Sequence, residues 1–213
     1  MRFVDWGQVD YKQAVHDQLE LVNSVKESKE DICVFCTHPP VVTLGRATQA
    51  GDVAGWRGTV EETSRGGRAT YHGPSQLVVY PIIDLSVEDR IHLKPRDVHS
   101  YLRSLESAVV LALHELDIPA QTMEPTTDAE LDKIFTGVWV ENRKIASIGI
   151  AVKKWVTYHG VAINLYEDEK AFTGITPCGF SSQVMTSIAK EIGHHDRDQL
   201  KSLLTKHLGA VFA

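Results

Sequence analysis

Residues 65–84, RGGRATYHGPSQLVVYPIID, constrain the fold more than any other stretch of the chain. Leu77, Val78, Val79, Tyr80, Ile82 and Ile83 form an apolar run rich in β-branched residues and bounded by turn residues, which reads as a buried strand. A strand of that kind needs a sheet around it. Just before it, two arginines, Tyr71, His72, three glycines and Pro74 are crowded into the ten residues 65–74, more hydrogen-bonding and backbone-permissive groups than a structural loop ordinarily requires. Gly66 and Gly67 carry no side chain, so an acyl group or a phosphate-bearing arm could approach the backbone closely. The plainer alternative is a tight hairpin bent at the two glycines.

The remaining chain supplies elements to pack around that strand. Residues from about Asp10 to Glu27 read as an amphipathic helix with Val15, Leu19, Val22 and Val25 near a 3.6-residue period. DICVFCTHPPVVTLGR reads as a strand interrupted by Pro39-Pro40 and resumed by Val41 to Leu44, and Gly45 to Thr63 as a long surface loop. Pro95 is placed at the start of a helix running to about Asp117, striped by Val98, Leu102, Leu105, Val109, Leu113 and Leu116. Met123 to Phe135 is irregular. Residues 137–140, 144–156 and 159–165 then read as an antiparallel meander, with Lys144, Ala146, Ile148 and Ile150 on one face of the middle strand and Ile145, Ser147 and Gly149 on the other. A loop, GITPCGFSS, a short helix near Val184 to Ile192 and a final helix from about Asp198 to Leu208 complete the chain. Strands grouped together, with helices before, between and after them and no linker or repeat, indicate an α+β fold with mixed and antiparallel sheets flanked by helices.

Composition narrows the class. A length of 213 residues fits one domain over 1–213. The 43% hydrophobic and 23% charged content is ordinary for a soluble protein, and no apolar run approaches the roughly 18–20 residues that span a bilayer. MRFVDWGQVD has no signal-peptide pattern, and three cysteines, an odd number, suit a reducing cytoplasm. A net charge of −6 argues against sequence-independent nucleic-acid binding, which needs a basic surface.

The cysteines divide by context. Cys33 and Cys36 have the spacing of a redox or zinc pair, but they fall inside a strand, where positions i and i+3 face opposite sides, so they read as core residues. Cys178 instead stands between Pro177 and Gly179 in a loop whose bend would display the sulfur. A thiol with an ordinary pKa near ~8.5 needs a neighbouring cation or base to act as a nucleophile at neutral pH. His72, His159 and Lys144 are the candidates, and sequence distance does not choose among them.

RGGRATYHGPSQLVVYP, KIASIGIAV, YHGVAINL and ITPCGF together resemble the signature blocks of the octanoyltransferases of lipoate biosynthesis, in the same order and at similar spacing, and THPPVVTLGR resembles that family's early strand. Ser75 and Ser64 depart from the family pattern, which has glycine and aspartate there. The resemblance implies the fold of biotin and lipoate protein ligases. It implies Cys178 as the nucleophile that takes an octanoyl group from acyl carrier protein as a thioester, and Lys144 as its proton-moving partner. For substrate binding it implies Arg65, Gly66, Gly67, Arg68, Ala69, Thr70, Tyr71 and His72, then Ser147, Ile148, Gly149, Gly160, Val161 and Ala162, with His159 adjoining them. The acceptors implied are lysines of lipoyl domains in 2-oxoacid dehydrogenase complexes and of the glycine cleavage H protein. Metal, nucleotide and redox cofactors are not required, and a cytoplasmic monomer is expected. Carrier proteins are acidic, so Arg46, Arg57, Arg65, Arg68, Lys153 and Lys154 are candidate docking residues. The alternatives are an ATP-dependent lipoate or biotin ligase, a non-catalytic carrier-protein-binding module, and a thiol hydrolase using His72 or His159 as base.

Overall fold

The computed structural model describes residues 1–123, 136–176, 184–193 and 195–213. Ten strands are formed among them: β1 (Arg2–Gln8), β2 (Ile32–Thr37), β3 (Val41–Leu44), β4 (Thr59–Glu62), β5 (Thr70–His72), β6 (Gln76–Ile82), β7 (Ala120–Gln121), β8 (Gly137–Val140), β9 (Arg143–Lys153) and β10 (Val156–Asn164). The helices are α1 (Tyr11–Ser28), α2 (Val98–His114), α3 (Ile188–Ile192) and α4 (Arg197–Val211). Seven strands make one mixed sheet in the order β1-β2-β6-β10-β9-β8-β7, and β4-β3-β5 make a second. The buried run thus becomes β6, flanked by β2 and β10, both antiparallel to it.

The period-2 geometry of strands sends alternate residues to two cores. Cys33, Phe35, Leu77 and Val79 face α2 and α4 with Leu105, Val109, Leu200 and Leu204. Ile32, Val34, Cys36, Val78 and Tyr80 face α1 with Ala14, Val22 and Val25. Cys33 and Cys36 are therefore buried on opposite sides of the sheet, and burial pushes both thiols far up, so they are inert core residues.

Several boundaries differ from expectation for physical reasons. β1 is an edge strand paired parallel to β2, and its apolar residues Phe3, Val4 and Trp6 divide between its two faces, which blurs the alternation that would announce it. The Gly45–Thr63 stretch is not all loop, since Thr59–Glu62 pairs parallel with β3. β3 does not resume β2 but turns into the second sheet. The bend after β5 falls at Gly73–Ser75 and not at Gly66-Gly67, because β5 pairs with β3 while β6 enters the large sheet. Pro95 lies in the turn before α2, which starts where the Asp97 carboxylate accepts from the Ser100 amide. The buried stripe of α1 is Tyr11, Ala14, Gln18, Val22 and Val25, with Val15 and Leu19 at its margin. Gln18 belongs there because its amide is satisfied: Nε2 donates to the Ala14 carbonyl at 3.1 Å and Oε1 accepts from the His159 amide at 2.7 Å. Residues 124–135, within the stretch expected to be irregular, lie outside the described residues. Among the described residues no helix is long and apolar enough to cross a membrane.

Two contacts join these parts. The Gly66 amide donates to the Ile150 carbonyl at 2.9 Å, seating the 65–67 turn on β9. A Cβ on Gly149 would come within 2.9 Å of the Gly66 carbonyl oxygen, so glycine is required for this approach. At the far end of β6, the fully buried Asp84 carboxylate accepts from Lys26, Lys29 and Ser86, tying the end of α1 to the sheet. Burial pushes the Asp84 carboxyl up, but the hydrogen bonds from Lys29, Ser86 and Lys26 outweigh it and hold the group well below the usual carboxylate range.

Gly149→Ala is expected to cost ~1–3 kcal/mol by forcing the turn off β9, measured as a lower urea midpoint. Because the folded-state pKa of Asp84 lies below its unfolded value near ~3.9, its contribution is complete above that value and is lost as pH falls through the folded pKa. Urea titrations at pH 7 and pH 3 should show the wild type losing more stability on acidification than Asp84→Asn; equal losses would show that Asp84 is not the acid-sensitive tie.

Candidate active site

A cavity opens where the 65–72 segment and the loop after β3 meet β6, β9 and β10. Arg65, Gly67, Arg68, Thr70 and His72 line it on one side, and Lys144, Ser147, Ile148, Gly149, His159, Gly160, Val161 and Ala162 on the other. It holds about 80 Å³ of room for water-sized groups, walled by both polar and apolar side chains. Tyr11, Ala47, Gln49, Val78, Tyr80 and Thr136 complete the lining and were not among the site residues expected from sequence. Tyr11 and Tyr80 carried a usable signal, since each sits on the apolar face of its element with a hydroxyl to satisfy.

Three residues of the 65–72 run do not line this cavity. Gly66 borders an adjoining groove, and Ala69 is fully buried. Tyr71 alternates away from Thr70 and His72, packing edge-on against Phe172 and Trp56 while its hydroxyl donates to Asp168.

Arg65 is 6% exposed. Its Nε and Nη2 donate to Thr43 Oγ1 at 3.2 and 2.8 Å, Nη2 also donates to the Thr43 carbonyl at 2.8 Å, and Nη1 donates to the Gly66 carbonyl at 3.0 Å. It is a fixed cation in the cavity wall, which removes it from the surface residues expected to dock a partner. Arg68 pairs with the buried carboxylate of Asp52. Arg46, Arg57, Lys153 and Lys154 remain exposed.

Lys144 is 1% exposed, not the solvated lysine that a position after a turn would suggest. A Cβ on Gly137 would lie 2.6 Å from its Cε and 3.3 Å from its Nζ, so the bare glycine makes room for the stem. Nζ lies over the Trp139 ring, 5.1 Å from its centroid. Strict alternation would set Lys144 and Ser147 on opposite faces. Instead both line the cavity, because β8 pairs Val138 with Ala146 but Trp139 with Lys144, leaving Ile145 as an extra residue in β9. The Lys144 carbonyl accepts from the Thr186 amide at 3.0 Å. Cys178 lies outside the described residues.

His159 holds φ +59°, a left-handed conformation uncommon in residues other than glycine, with its amide satisfied by Gln18. Burial, followed by the charge of Arg65, lowers its pKa to about 3, so it is neutral at pH 7. Its Nε2 meets the hydroxyls of Thr63 at 3.2 Å and Ser64 at 3.4 Å. Ser64 also bonds the Tyr158 hydroxyl, and Ser75 donates to Asp168, so both departures from the family pattern are hydrogen-bonded in place.

A family model described as the lipoyl protein ligase A/B catalytic domain matches residues 10–209. The chain is 49% identical over 211 residues to an octanoyltransferase of Bdellovibrio bacteriovorus, covering 97% of this chain and 96% of that one. It is 37% identical over 205 residues to an octanoyltransferase of Citrifermentans bemidjiense, covering 96% and 93%. Its fold is similar to that of lipoate–protein ligase A bound with ATP (TM-score 0.72, 17% identity, 99% of this chain and 84% of that chain). It is also similar to biotin protein ligase from Aquifex aeolicus (TM-score 0.52, 13% identity, 99% and 68%). The ligase structures, at such low identity, speak for the α+β fold alone, whereas the two octanoyltransferases match nearly end to end: the chain belongs to the octanoyltransferase family, built on a lipoyl protein ligase A/B catalytic domain.

Proposed function

We propose that this chain transfers an octanoyl group from octanoyl-acyl carrier protein to a lysine of a lipoyl domain, through a thioester on Cys178. The observation that carries the reading is a desolvated lysine, Lys144, in the wall of a cavity that also has Ile148, Val161 and Ala162 as apolar lining. An apolar acyl chain suits such walls, and a reactive carbonyl held near Lys144 would meet a base.

Acyl transfer onto Cys178 exchanges one thioester for another at little thermodynamic cost, which keeps the acyl group activated. The thiolate is the attacking form, and the ammonium of Lys144 favours it. As the thioester forms, Lys144 gives its proton to the departing carrier thiolate, and with no negative charge left beside it the buried amine is left neutral. It then serves as base toward the acceptor ammonium, whose reference pKa is near ~10.4, and returns a proton to the departing sulfur. The exposed Arg46, Arg57, Lys153 and Lys154 are suited to speed the encounter with an acidic carrier protein.

Incubation with octanoyl-acyl carrier protein without ATP should add one octanoyl mass to the wild-type protein and none to Cys178→Ser. A requirement for ATP would favour a ligase. Lys144→Ala should slow adduct formation at pH 7 by about 100-fold or more and raise the pH at which the thiol ionises; an unchanged thiol titration would exclude the Cys178–Lys144 pairing.

A further inference from the structure

The transfer step leaves one proton without a destination. As the C–N bond forms and the C–S bond breaks, the acceptor ammonium gives up two protons in becoming an amide N–H, while the departing sulfur takes back one. Lys144 can carry the proton that returns to sulfur, so a second acceptor is needed for the other.

One imidazole at the cavity is built to be that acceptor. The Thr186 carbonyl can only accept, so the Asn164 amide faces it with Nδ2, at 2.8 Å. Asn164 Oδ1 therefore faces Gln76, which presents Nε2 at 2.9 Å. Gln76 Oε1 is then the atom that meets His72 Nδ1, at 3.3 Å, so Nδ1 carries the hydrogen. Every side chain of this relay is buried: His72 is 7%, Gln76 2% and Asn164 5% exposed. The neutral ring consequently keeps its lone pair on Nε2. Tyr11 stacks on the ring at 5.8 Å and His38 meets it edge-on at 5.9 Å, which opposes a ring flip that would exchange the nitrogens. The other histidines here are engaged differently. His38 Nδ1 donates to the Val9 carbonyl, so its Nε2 accepts from Tyr80, and His159 Nε2 faces two hydroxyls.

We propose that His72 Nε2 takes the second proton of the attacking ammonium and passes it on to solvent. The relay that fixes its tautomer starts on the same residue, Thr186, whose amide holds the backbone of Lys144. Both proton-handling side chains are thereby indexed to one short segment. Burial, then the nearby His38 and Arg65, keep the His72 pKa well below the ordinary histidine range. The ring is thus uncharged at neutral pH and passes a proton on without retaining it. This inference rests on the thioester reading above.

The test separates the two. The full chain is loaded from octanoyl-acyl carrier protein, freed of donor, and mixed with a lipoyl domain or with hydroxylamine, an amine already uncharged at neutral pH that has only the sulfur's proton to give. Loss of the octanoyl mass is followed in time. His72→Phe should slow transfer to the lipoyl domain about 100-fold and release by hydroxylamine less than about threefold. Gln76→Met, which leaves the ring but removes the acceptor of its N–H, should show the same selectivity with a smaller loss, and decides the matter if His72→Phe does not fold. Equal slowing with both nucleophiles, or no slowing with either, overturns the role of His72 while leaving the thioester standing. Failure of the wild type to load overturns the thioester reading and this inference with it.

Discussion

The cavity depends on one backbone contact, the Gly66 amide against the Ile150 carbonyl, made close enough by the absence of a side chain on Gly149. It brings a polar turn from the edge of the small sheet onto a strand of the large one. Once seated, the turn carries Arg65 into the wall, where Thr43 and the Gly66 carbonyl absorb its donors. A buried guanidinium without those acceptors would be far too costly to retain. Its fixed charge, added to burial, keeps His72 and His159 neutral.

The chemistry of the site follows from desolvation applied unevenly. Lys144 is removed from water and lies over an indole face, its Nζ 5.1 Å from the Trp139 ring centroid. His72 is also removed from water, but its polarity is dictated from a distance by amide groups that have only one satisfying arrangement. Cys33 and Cys36 are removed from water too, and although Cys36 Sγ lies 3.7 Å from His38 Nε2, burial pushes both thiols up and leaves them core atoms. The contrast lies in what surrounds each group and not in its type.

Much of this was legible in the residues. The alternation in ICVFCT and the apolar run of β6 placed two cysteines on opposite faces of a sheet, and the sheet bears this out. The meander of β8, β9 and β10 was equally plain from its turn residues and pattern. The edge strands β1 and β4 were not, since β1 divides Phe3, Val4 and Trp6 between two faces, β4 has Val60 alone, and local propensity does not reveal a distant partner. Gln18 was missed because a polar side chain in a helix stripe looks like an interruption until its partner, the His159 amide, is seen.

Residue order alone determined the class of fold, the family and the side chains that could do chemistry, because hydrophobic periodicity and local motifs are written along the chain. Tertiary structure decided which of those side chains meet. The extra residue in β9 turned Lys144 toward the wall that Ser147 shares, Tyr71 was carried out of that wall by strand alternation, and Arg65 became a buried cation and not a docking residue. Register, bulges and hydrogen-bond polarity are set by partners far away in sequence, so no reading along the chain could have settled them.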